Sequence, residues 1–537
     1  MAESIGVTVG NGRKGHERMK KRAEWIEALC RDGISLVSSL CAALMLCVIP
    51  LVFRNACLDI NRIKVYTLYN GIPVMIVCML LAVVLDRRKG EFALPGRSIL
   101  LCFAAMALFL TSCLASYCVT GFRAAALLGN EGRSAGLLVY ACCCAAFYLI
   151  ASGAVSAKKL LPVIEISAGV IALLGVLNAL GVDPLGFYAR IKKGQEQLFM
   201  STIGHFDFFG TYLVMLLPLA GASFVFSRNT IKRMIGAAAA VLISLGAAAS
   251  RTDSALLGVH LGCIALVALS GGSLRLMSRA LIIWGIGFLS LPIMAILFRL
   301  GSFGISFSGP HAVLCGKRIA LIAALFLFAA AFLCRFLARK GVRAPGRKTM
   351  TAIVLIVFFC ALLALLGAMA YFTVVKPQAD LGEASGFLRF DDAWGSYRGF
   401  VYKRAIDAFG TYTPEEKIFG KGLDTTKSIL RPYFDHPVVK IVGVFDDTHN
   451  QLLQLLLTGG ILTAGSFALF YVVMLVTLYR HEDRDPLLCG ATASVFAYLI
   501  VMLINVTQPI LIITYFSLCA LALGRMNYID KRRRNDG

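Results

Sequence analysis

Residues 351–375 read TAIVLIVFFCALLALLGAMAYFTVV, an uncharged run that ends immediately before Lys376. A helix of this length is long enough to cross the hydrocarbon core of a bilayer, which is roughly 30 Å thick. Similar apolar runs recur from Ile34 to Leu523, separated by short breaks that contain charged residues, glycine or proline. Because lipid cannot satisfy open backbone hydrogen bonds, the sequence predicts α-helical spans, about fourteen in number.

The composition of the whole chain agrees with this pattern. Hydrophobic residues occupy 58% of the 537 positions, and the mean hydropathy is +0.77. So much apolar surface cannot be buried in an aqueous core, which excludes a soluble multidomain protein. We therefore predict an all-α, polytopic transmembrane helical bundle of about 12–14 spans surrounded by membrane lipids.

The net charge of +23 comes from 53 lysines and arginines against 30 acids. The basic residues lie in short breaks and at both ends of the chain, so they indicate membrane orientation and no nucleic-acid partner. Counting the spans between clusters places them on one side, which predicts cytoplasmic termini. The clusters are Arg13-Lys14 to Lys20-Lys21-Arg22, Arg87-Arg88-Lys89, Lys158-Lys159, Arg228 to Arg233, Arg335 to Lys348, and Lys531 to Arg534.

One long polar segment, residues 376–448, interrupts the apolar pattern. It contains Trp394, several tyrosines and near-equal numbers of acids and bases, which is typical of a folded loop. A disordered linker is the alternative, and the aromatic content argues against it. The predicted division is a basic cytoplasmic tail at 1–33, transmembrane helices at 34–375, an external catalytic loop at 376–448, C-terminal transmembrane helices at 449–524 and a basic cytoplasmic tail at 525–537.

Functional groups inside the predicted spans are scarce. Glu165 and His260 are the main ionisable residues there, which weakens a transporter interpretation, because ion-coupled transport needs buried acids or a histidine relay. Most cysteines lie within apolar runs, and none lies between Lys376 and Thr448. We therefore predict neither a disulfide framework nor a metal site, and no cofactor.

The candidate chemistry lies where the polar segment meets the next span, at Asp446-Asp447-Thr448-His449-Asn450. A histidine that titrates near neutrality can take a proton from a hydroxyl, as a general base must. Asp447 or Thr448 is expected to cap the following helix and to place the imidazole in its first turn. The alternative is that His449 is itself only a capping residue.

Two arginines are candidates for binding an anion. Arg398 begins a predicted short helix after Trp394 and Gly395, and its planar guanidinium suits a diphosphate; a surface ion pair is the alternative. Arg251 stands between two strongly apolar blocks, where a charge is costly unless it faces a polar site. An interfacial anchor is the alternative for Arg251.

Taken together, these motifs resemble the O-antigen ligase and O-antigen polymerase superfamily, from about Gly129 to about Leu523. The resemblance depends on a Ser-Arg turn, an arginine in a large loop, and His-Asn before the next helix. The matching positions are Gly129 to Gly136, Gly204-His205-Phe206-Asp207, Ser250-Arg251, Arg398, Gly420-Lys421-Gly422, His449-Asn450 and Gly459-Gly460.

The resemblance implies a metal-independent membrane glycosyltransferase with a GT-C-like fold in the bacterial cytoplasmic (inner) membrane. Such an enzyme moves a glycan from undecaprenyl diphosphate to a hydroxyl of a glycan, lipid or protein acceptor on the external face. By position, Arg251 and Arg398 would bind the lipid diphosphate and His449 would be the catalytic base. Asp447 and Asn450 would support it.

The sequence also departs from the family pattern. Tyr402 stands where the family often has tryptophan and Asp207 where it often has asparagine, and the apolar blocks Ile282 to Leu297 and Ile319 to Leu333 form an extra pair of spans. The resemblance does not separate a ligase from a polymerase. A transporter or flippase of lipid-linked glycans is the alternative from another class.

Overall fold

The computed structural model describes residues 33–85, 96–130, 132–153, 155, 157–505 and 507–536. Over these ranges the protein is almost entirely helical, with one antiparallel pair of two-residue strands, β1 (Phe199–Met200) and β2 (Gly204–His205). The prediction of an all-α polytopic membrane protein is confirmed. The predicted N-terminal tail, except for Gly33, and the cluster Arg87-Arg88-Lys89 lie outside the described residues.

The helices of the described residues follow one another with short connections. They are α1 (Gly33–Leu51), α2 (Ile60–Leu85), α3 (Arg97–Val119), α4 (Arg123–Leu128), α5 (Leu137–Ser152), α6 (Ala157–Ala179), α7 (Phe206–Phe226), α8 (Thr230–Ala249), α9 (Asp253–Leu269), α10 (Leu274–Leu300), α11 (Gly309–Gly316), α12 (Ile319–Arg339), α13 (Arg347–Val375), α14 (Ser385–Leu388), α15 (Trp394–Gly410), α16 (Pro414–Phe419), α17 (Thr426–Ile429), α18 (Pro437–Val442), α19 (Gln451–Arg480), α20 (Pro486–Val501) and α21 (Pro509–Asp536). Short 3-10 turns add Glu196–Leu198, Gly382–Ala384 and Arg431–Tyr433.

Eleven of the described helices are long and apolar enough to span a bilayer. Three shorter apolar helices, α5, α9 and α20, also lie within the bundle. If they cross as well, the number reaches the fourteen spans that the sequence predicts.

The ends of α9 and α20 show that these short helices run from one face of the bundle to the other. At the start of α9, Ser254 accepts a hydrogen bond from Asn505 at 2.9 Å; beyond its end, Gly271 O accepts one from Arg484 at 2.6 Å. The start of α20 lies on the same face as Arg484, and the turn after α20 carries Asn505. We call the face with Asn505 and residues 376–448 the loop face, and the other the opposite face.

The helices differ in the share of their residues that is buried. Helices α7 and α21 are enclosed along almost their whole length, whereas α13 has no buried residue. An apolar helix without buried residues is expected where the bundle contacts lipid. Helices α7 and α21 therefore form the centre of the bundle. Helix α13, which leads into residues 376–448, lies at its periphery.

Lys64 is an ionisable residue inside a span, in addition to the predicted Glu165 and His260. It lies in α2 and is fully buried. Its ammonium donates to three carbonyl oxygens where α1 ends: Ile49 at 3.0 Å, Pro50 at 2.8 Å and Val52 at 2.8 Å. Lys64 therefore satisfies helix-end carbonyls that would otherwise lie unpaired in the bundle.

Residues 376–448 fold into short helices with an apolar cluster of their own. The cluster consists of Phe400, Val401, Ala405, Ala408, Tyr412, Leu430, Val439 and Leu457. Leu457 belongs to α19, so this cluster packs the loop onto the start of that helix. The loop is consequently ordered, as its aromatic content predicts.

A pair of glycines joins the loop to α19. Gly420 and Gly460 both have left-handed φ, at 75° and 73°, and Gly460 interrupts the helical geometry of α19. A Cβ on Gly420 would overlap the Thr458 carbonyl, and a Cβ on Gly460 would overlap the Ile418 carbonyl. Only glycine at both positions lets the two backbones approach this closely.

Candidate active site

Arg398 is presented by an unusual turn at the start of α15. Gly395, Ser396 and Tyr397 have left-handed φ values of 58°, 60° and 69°, and regular helix follows. The Arg398 guanidinium donates to Gly395 O at 3.1 Å, while its Nε is buried with no hydrogen-bond partner among the described residues. This arginine is held by its own turn rather than by an acid, as a group that binds an anion requires.

His449 lies just before α19 and not within its first turn. The expectation that Asp447 or Thr448 caps this helix is wrong: the N-cap is Asn450, whose side chain accepts from Leu453 N at 3.0 Å. The backbone of His449 is left-handed, with φ 54°. The chain therefore turns sharply at the histidine before the helix begins, which separates the imidazole from the helix axis.

Asp447 instead holds the backbone of His449. Its Oδ1 accepts from His449 N at 2.5 Å, and its Oδ2 lies 2.5 Å from the guanidinium of Arg133. Tyr402 adds a second restraint, because its hydroxyl lies 3.2 Å from the carbonyl oxygen of His449 and 3.2 Å from that of Leu503. The N–H of His449 is thus held by a nearby aspartate and its carbonyl by a tyrosine from α15.

The imidazole itself is neutral at physiological pH. Burial is the largest cause that lowers the pKa of His449 from 6.5 to about 4, and the positive charge of Arg398 is the second. Asp207 and Asp446 act in the opposite direction. Nδ1 is buried without a hydrogen-bond partner among the described residues. A neutral imidazole near an arginine is able to accept a proton once an anion offsets the positive charge.

Next to His449 lies a set of charged residues that we call the Arg133 cluster: Arg133, Asp424 and Asp447, which are buried, and Asp446, whose side chain is 49% exposed. The guanidinium lies 3.0 Å from Asp424, 3.6 Å from Asp446 and 2.5 Å from Asp447. Burial lowers the pKa of Arg133, but the three carboxylates outweigh it and the net pKa is raised. A buried arginine that pairs with several carboxylates fixes the positions of these side chains, because each buried charge needs an opposite charge beside it.

The Arg133 cluster joins distant parts of the chain. Asp424 accepts from the backbone N–H groups of Asn130 at 2.8 Å and Ala135 at 3.1 Å, and Arg133 also donates to Thr507 O at 2.8 Å. The segment before α5, the loop and the turn before α21 therefore meet beneath His449.

Arg251 occupies the turn between α8 and α9, where its backbone is left-handed with φ 58°. It donates to Gln197 O at 3.1 Å, and its guanidinium lies 5.7 Å from the centre of the Phe206 ring. Burial lowers its pKa. The residue after Phe206 is Asp207, whose charge acts on His449, so Arg251 flanks the histidine region from the α7 side.

Left-handed backbone at residues other than glycine concentrates in this region. Among the described residues there are ten such positions, and half of them are Arg251, Ser396, Tyr397, Asp424 and His449. Each costs about 1–2 kcal/mol, so they persist only where the surrounding structure imposes them. The surroundings of Arg251, Arg398 and His449 are thus built to hold specific side-chain positions.

Residues 303–468 match the family model described as O-Antigen ligase. This segment is therefore similar to the O-antigen ligase family. It includes Arg398, Asp447, His449 and Asn450, and it leaves out Arg251. No curated protein matches the chain. The predicted resemblance to the O-antigen ligase superfamily is confirmed, although the matched segment is shorter than the range over which the motifs suggest it.

The structure places several of the predicted site residues near His449. Asp447 holds the His449 backbone, Asn450 caps the following helix, and the charge of Arg398 acts on the imidazole. Arg251 lies outside the matched segment and contacts Phe206. No role for Arg133 or Asp424 was predicted from the sequence. The signals available were a lone arginine in the glycine-bounded segment Gly129 to Gly136 and an acid just after Gly420-Lys421-Gly422. In the described part of the chain, no group of three or more His, Cys, Asp or Glu is placed to hold a metal ion.

Proposed function

We propose that the protein is a glycosyltransferase that moves a glycan from undecaprenyl diphosphate to an acceptor hydroxyl, in the manner of an O-antigen ligase or a polysaccharide polymerase. The observation that carries the proposal is the pairing of Arg398, which has no acidic partner within the described ranges, with the neutral imidazole of His449. The proposed setting is the external face of a bacterial cytoplasmic membrane, reached by counting spans from the basic clusters.

The arginines would bind the diphosphate of the donor. The charge of Arg398 acts on the imidazole of His449, and the guanidinium of Arg251 lies over the ring of Phe206, the residue before Asp207. A guanidinium offers paired hydrogen bonds to phosphate oxygens and keeps its charge, so both arginines would stabilise the negative charge that grows on the leaving diphosphate.

Binding of the donor would also prepare the base. A pKa of about 4 makes His449 neutral but weakly basic before the donor binds. The negative diphosphate would offset the charge of Arg398, which is the second cause of the lowered value, and the pKa would rise. His449 would therefore become a stronger base only when the donor is in place.

In the proposed chemical step one bond forms and one bond breaks. The acceptor oxygen forms a bond to the anomeric carbon of the donor sugar, and the bond between that carbon and the diphosphate oxygen breaks. The acceptor proton passes to the imidazole of His449, and the electron pair leaves with undecaprenyl diphosphate. Holding both reactants in the correct geometry supplies a large part of the rate, as is general for transfers between two bound substrates.

The test is transfer by the purified protein in detergent or nanodiscs. The donor is a lipid-diphosphate-linked oligosaccharide, and product formation is followed with and without a metal chelator. We expect a glycosylated acceptor and free lipid diphosphate in equal amounts, and the same yield with the chelator. Absence of transfer would overturn the proposal, and loss of transfer with the chelator would overturn metal independence.

The same material separates an enzyme from a transporter or flippase of lipid-linked glycans. The protein is placed in vesicles with donor in one leaflet. Movement of intact donor to the other leaflet, without cleavage of the sugar–diphosphate bond, would favour the transporter class.

A further inference from the structure

A cavity of about 650 Å³ opens on the loop face beside the candidate active site. It lies between the start of α2, residues 128–134 and the β1–β2 hairpin. Aromatic rings and polar groups alternate in its wall, including Asn61, Tyr66, Tyr69, Asn130, His205 and Phe208. Its size and mixed lining are those of a site for a small polar molecule or part of one.

Two polar atoms in this wall are buried and have no hydrogen-bond partner among the described residues: Asn61 Oδ1 and Tyr69 Oη. Buried polar groups are nearly always hydrogen-bonded, so each exception calls for an explanation. The Asn61 amide is oriented by its nitrogen, which lies 3.2 Å from Gly132 O and 3.4 Å from Gln508 Oε1. Its oxygen is therefore an acceptor that no described group uses, and the Tyr69 hydroxyl, which can donate or accept, is likewise unused.

The cavity adjoins the site on two sides. Asn130 belongs to its wall, and the backbone N–H of Asn130 donates to Asp424 of the Arg133 cluster at 2.8 Å. His205 belongs to the opposite wall and stacks on Phe206 at 4.3 Å between ring centres, and Phe206 is the ring that faces Arg251. A molecule in this cavity would thus lie between the elements that position His449 and those that hold Arg251.

We propose that this cavity binds the acceptor and that the acceptor presents a sugar there. This inference rests on the proposed function and narrows its acceptor to a carbohydrate. A sugar hydroxyl donates and accepts at once, which satisfies both Asn61 and Tyr69. The aromatic rings offer flat apolar surface for the C–H face of a sugar ring. A bare lipid would leave the two polar atoms unpaired at a cost, since burial of an unpaired polar group is unfavourable.

The experiment compares the wild type with the double variant Asn61→Ala/Tyr69→Phe. The probe is the free oligosaccharide released from the lipid-linked donor by mild acid, and its binding is measured by saturation-transfer NMR and titration. Loss of one hydrogen bond weakens binding about two- to tenfold, so we expect the double variant to bind at least about tenfold more weakly. Asn70→Ala is the control, because Asn70 lies on the same helix and is exposed.

Thermal unfolding provides a second measurement. Because Tyr69 Oη has no hydrogen-bond partner in the part of the chain that the structure describes, Tyr69→Phe alone should leave the melting temperature of the ligand-free protein unchanged or slightly higher. A purely structural role for the hydroxyl would instead lower it. Tyr69→Phe is a mild change, so it also serves if the double variant does not fold.

The possible results distinguish the proposed acceptor site from the proposed glycosyltransferase function. Equal binding of the oligosaccharide by the wild type and both Tyr69 variants, or no binding by the wild type, overturns the acceptor site. Binding that depends on these residues, without any glycan transfer by the wild type, overturns the proposed function and leaves the sugar site standing. Transfer by the double variant with an unchanged KM for the acceptor overturns the site and leaves the function standing.

Discussion

Arg133 and Asp447 form a buried ion pair of 2.5 Å that reaches across 314 residues of sequence. The other oxygen of Asp447 holds the backbone N–H of His449. The position of the candidate base is consequently set by an arginine that lies before α5, far from the loop in the sequence. This relationship makes Arg133 a positioning residue of the site.

We expect Arg133→Gln to destabilise the protein strongly. The change leaves Asp424 and Asp447 buried without their counter-charge, and breaking a buried pair from one side typically costs about 3–5 kcal/mol. The measurement is the melting temperature of the detergent-solubilised protein. Arg404→Gln is the matched control, because Arg404 pairs with Asp407 at the surface, where a pair contributes about 1 kcal/mol or less. Equal melting temperatures for the two variants would contradict this role.

Arg398→Lys and Arg251→Lys should each lower turnover about tenfold or more while the protein stays folded. A compact ammonium keeps the charge but cannot make paired hydrogen bonds to a diphosphate, and hydrogen bonds to charged groups contribute about 1.5–3 kcal/mol. Turnover is measured with the lipid-linked donor. Arg404→Lys, on the same helix as Arg398, is the control. Full activity of both variants would show that these arginines are ordinary anchors.

His449→Ala should leave a folded protein that binds the donor but transfers its glycan slowly. Loss of a general base typically lowers the rate about a hundred- to ten-thousand-fold. Donor binding and transfer are measured separately on the same preparation, and His436→Ala is the control, because His436 is an exposed histidine of the same loop. Wild-type transfer by His449→Ala would show that another group takes the proton.

The pH dependence should reflect the lowered pKa of His449. In the free enzyme the acid-side fall of kcat/KM is expected near pH 4 and not near 6.5, since the imidazole stays neutral down to about its folded pKa. The unfolded chain takes up this proton near pH 6.5, so the folded state loses stability as the pH falls from about 6.5 towards 4.

NMR of histidine-labelled protein measures this pKa directly. Arg398→Gln should move the His449 titration upward, because the charge of Arg398 lowers the wild-type value. An unchanged titration in this variant would show that the two side chains do not interact.

Membrane orientation is testable by labelling with an impermeant thiol reagent. A cysteine introduced at Ser385, in a background without competing exposed thiols such as Cys118, should react in intact cells. Arg343→Cys on the opposite face is the control, and it should react only after permeabilisation. The reverse pattern in folded protein would place the loop in the cytoplasm.

The candidate site residues were predicted from local sequence patterns. His449 follows acids at a boundary between polar and apolar chain, Arg251 interrupts two apolar blocks, and Arg398 opens a helix within the loop. Each of these patterns spans only a few residues, so it can be recognised without knowledge of the fold. The prediction that Asp447 or Thr448 caps α19 was wrong. Several neighbouring polar residues could accept from the free N–H groups of the helix, and the backbone turn selects among them. The left-handed φ of His449 makes Asn450 the N-cap.

The fold class follows from the hydropathy pattern without knowledge of any contact. An apolar chain in lipid must pair its backbone hydrogen bonds within each segment, so hydropathy alone predicts helices and their approximate number. Which charged residues pair with one another depends instead on how the helices pack. Arg133 contacts Asp424 and Asp447 across 291 and 314 residues, and no local pattern specifies a partner at that distance. Helix packing brings these groups together, and burial then makes their pairing obligatory, because an isolated charge in the bundle would be too costly to keep.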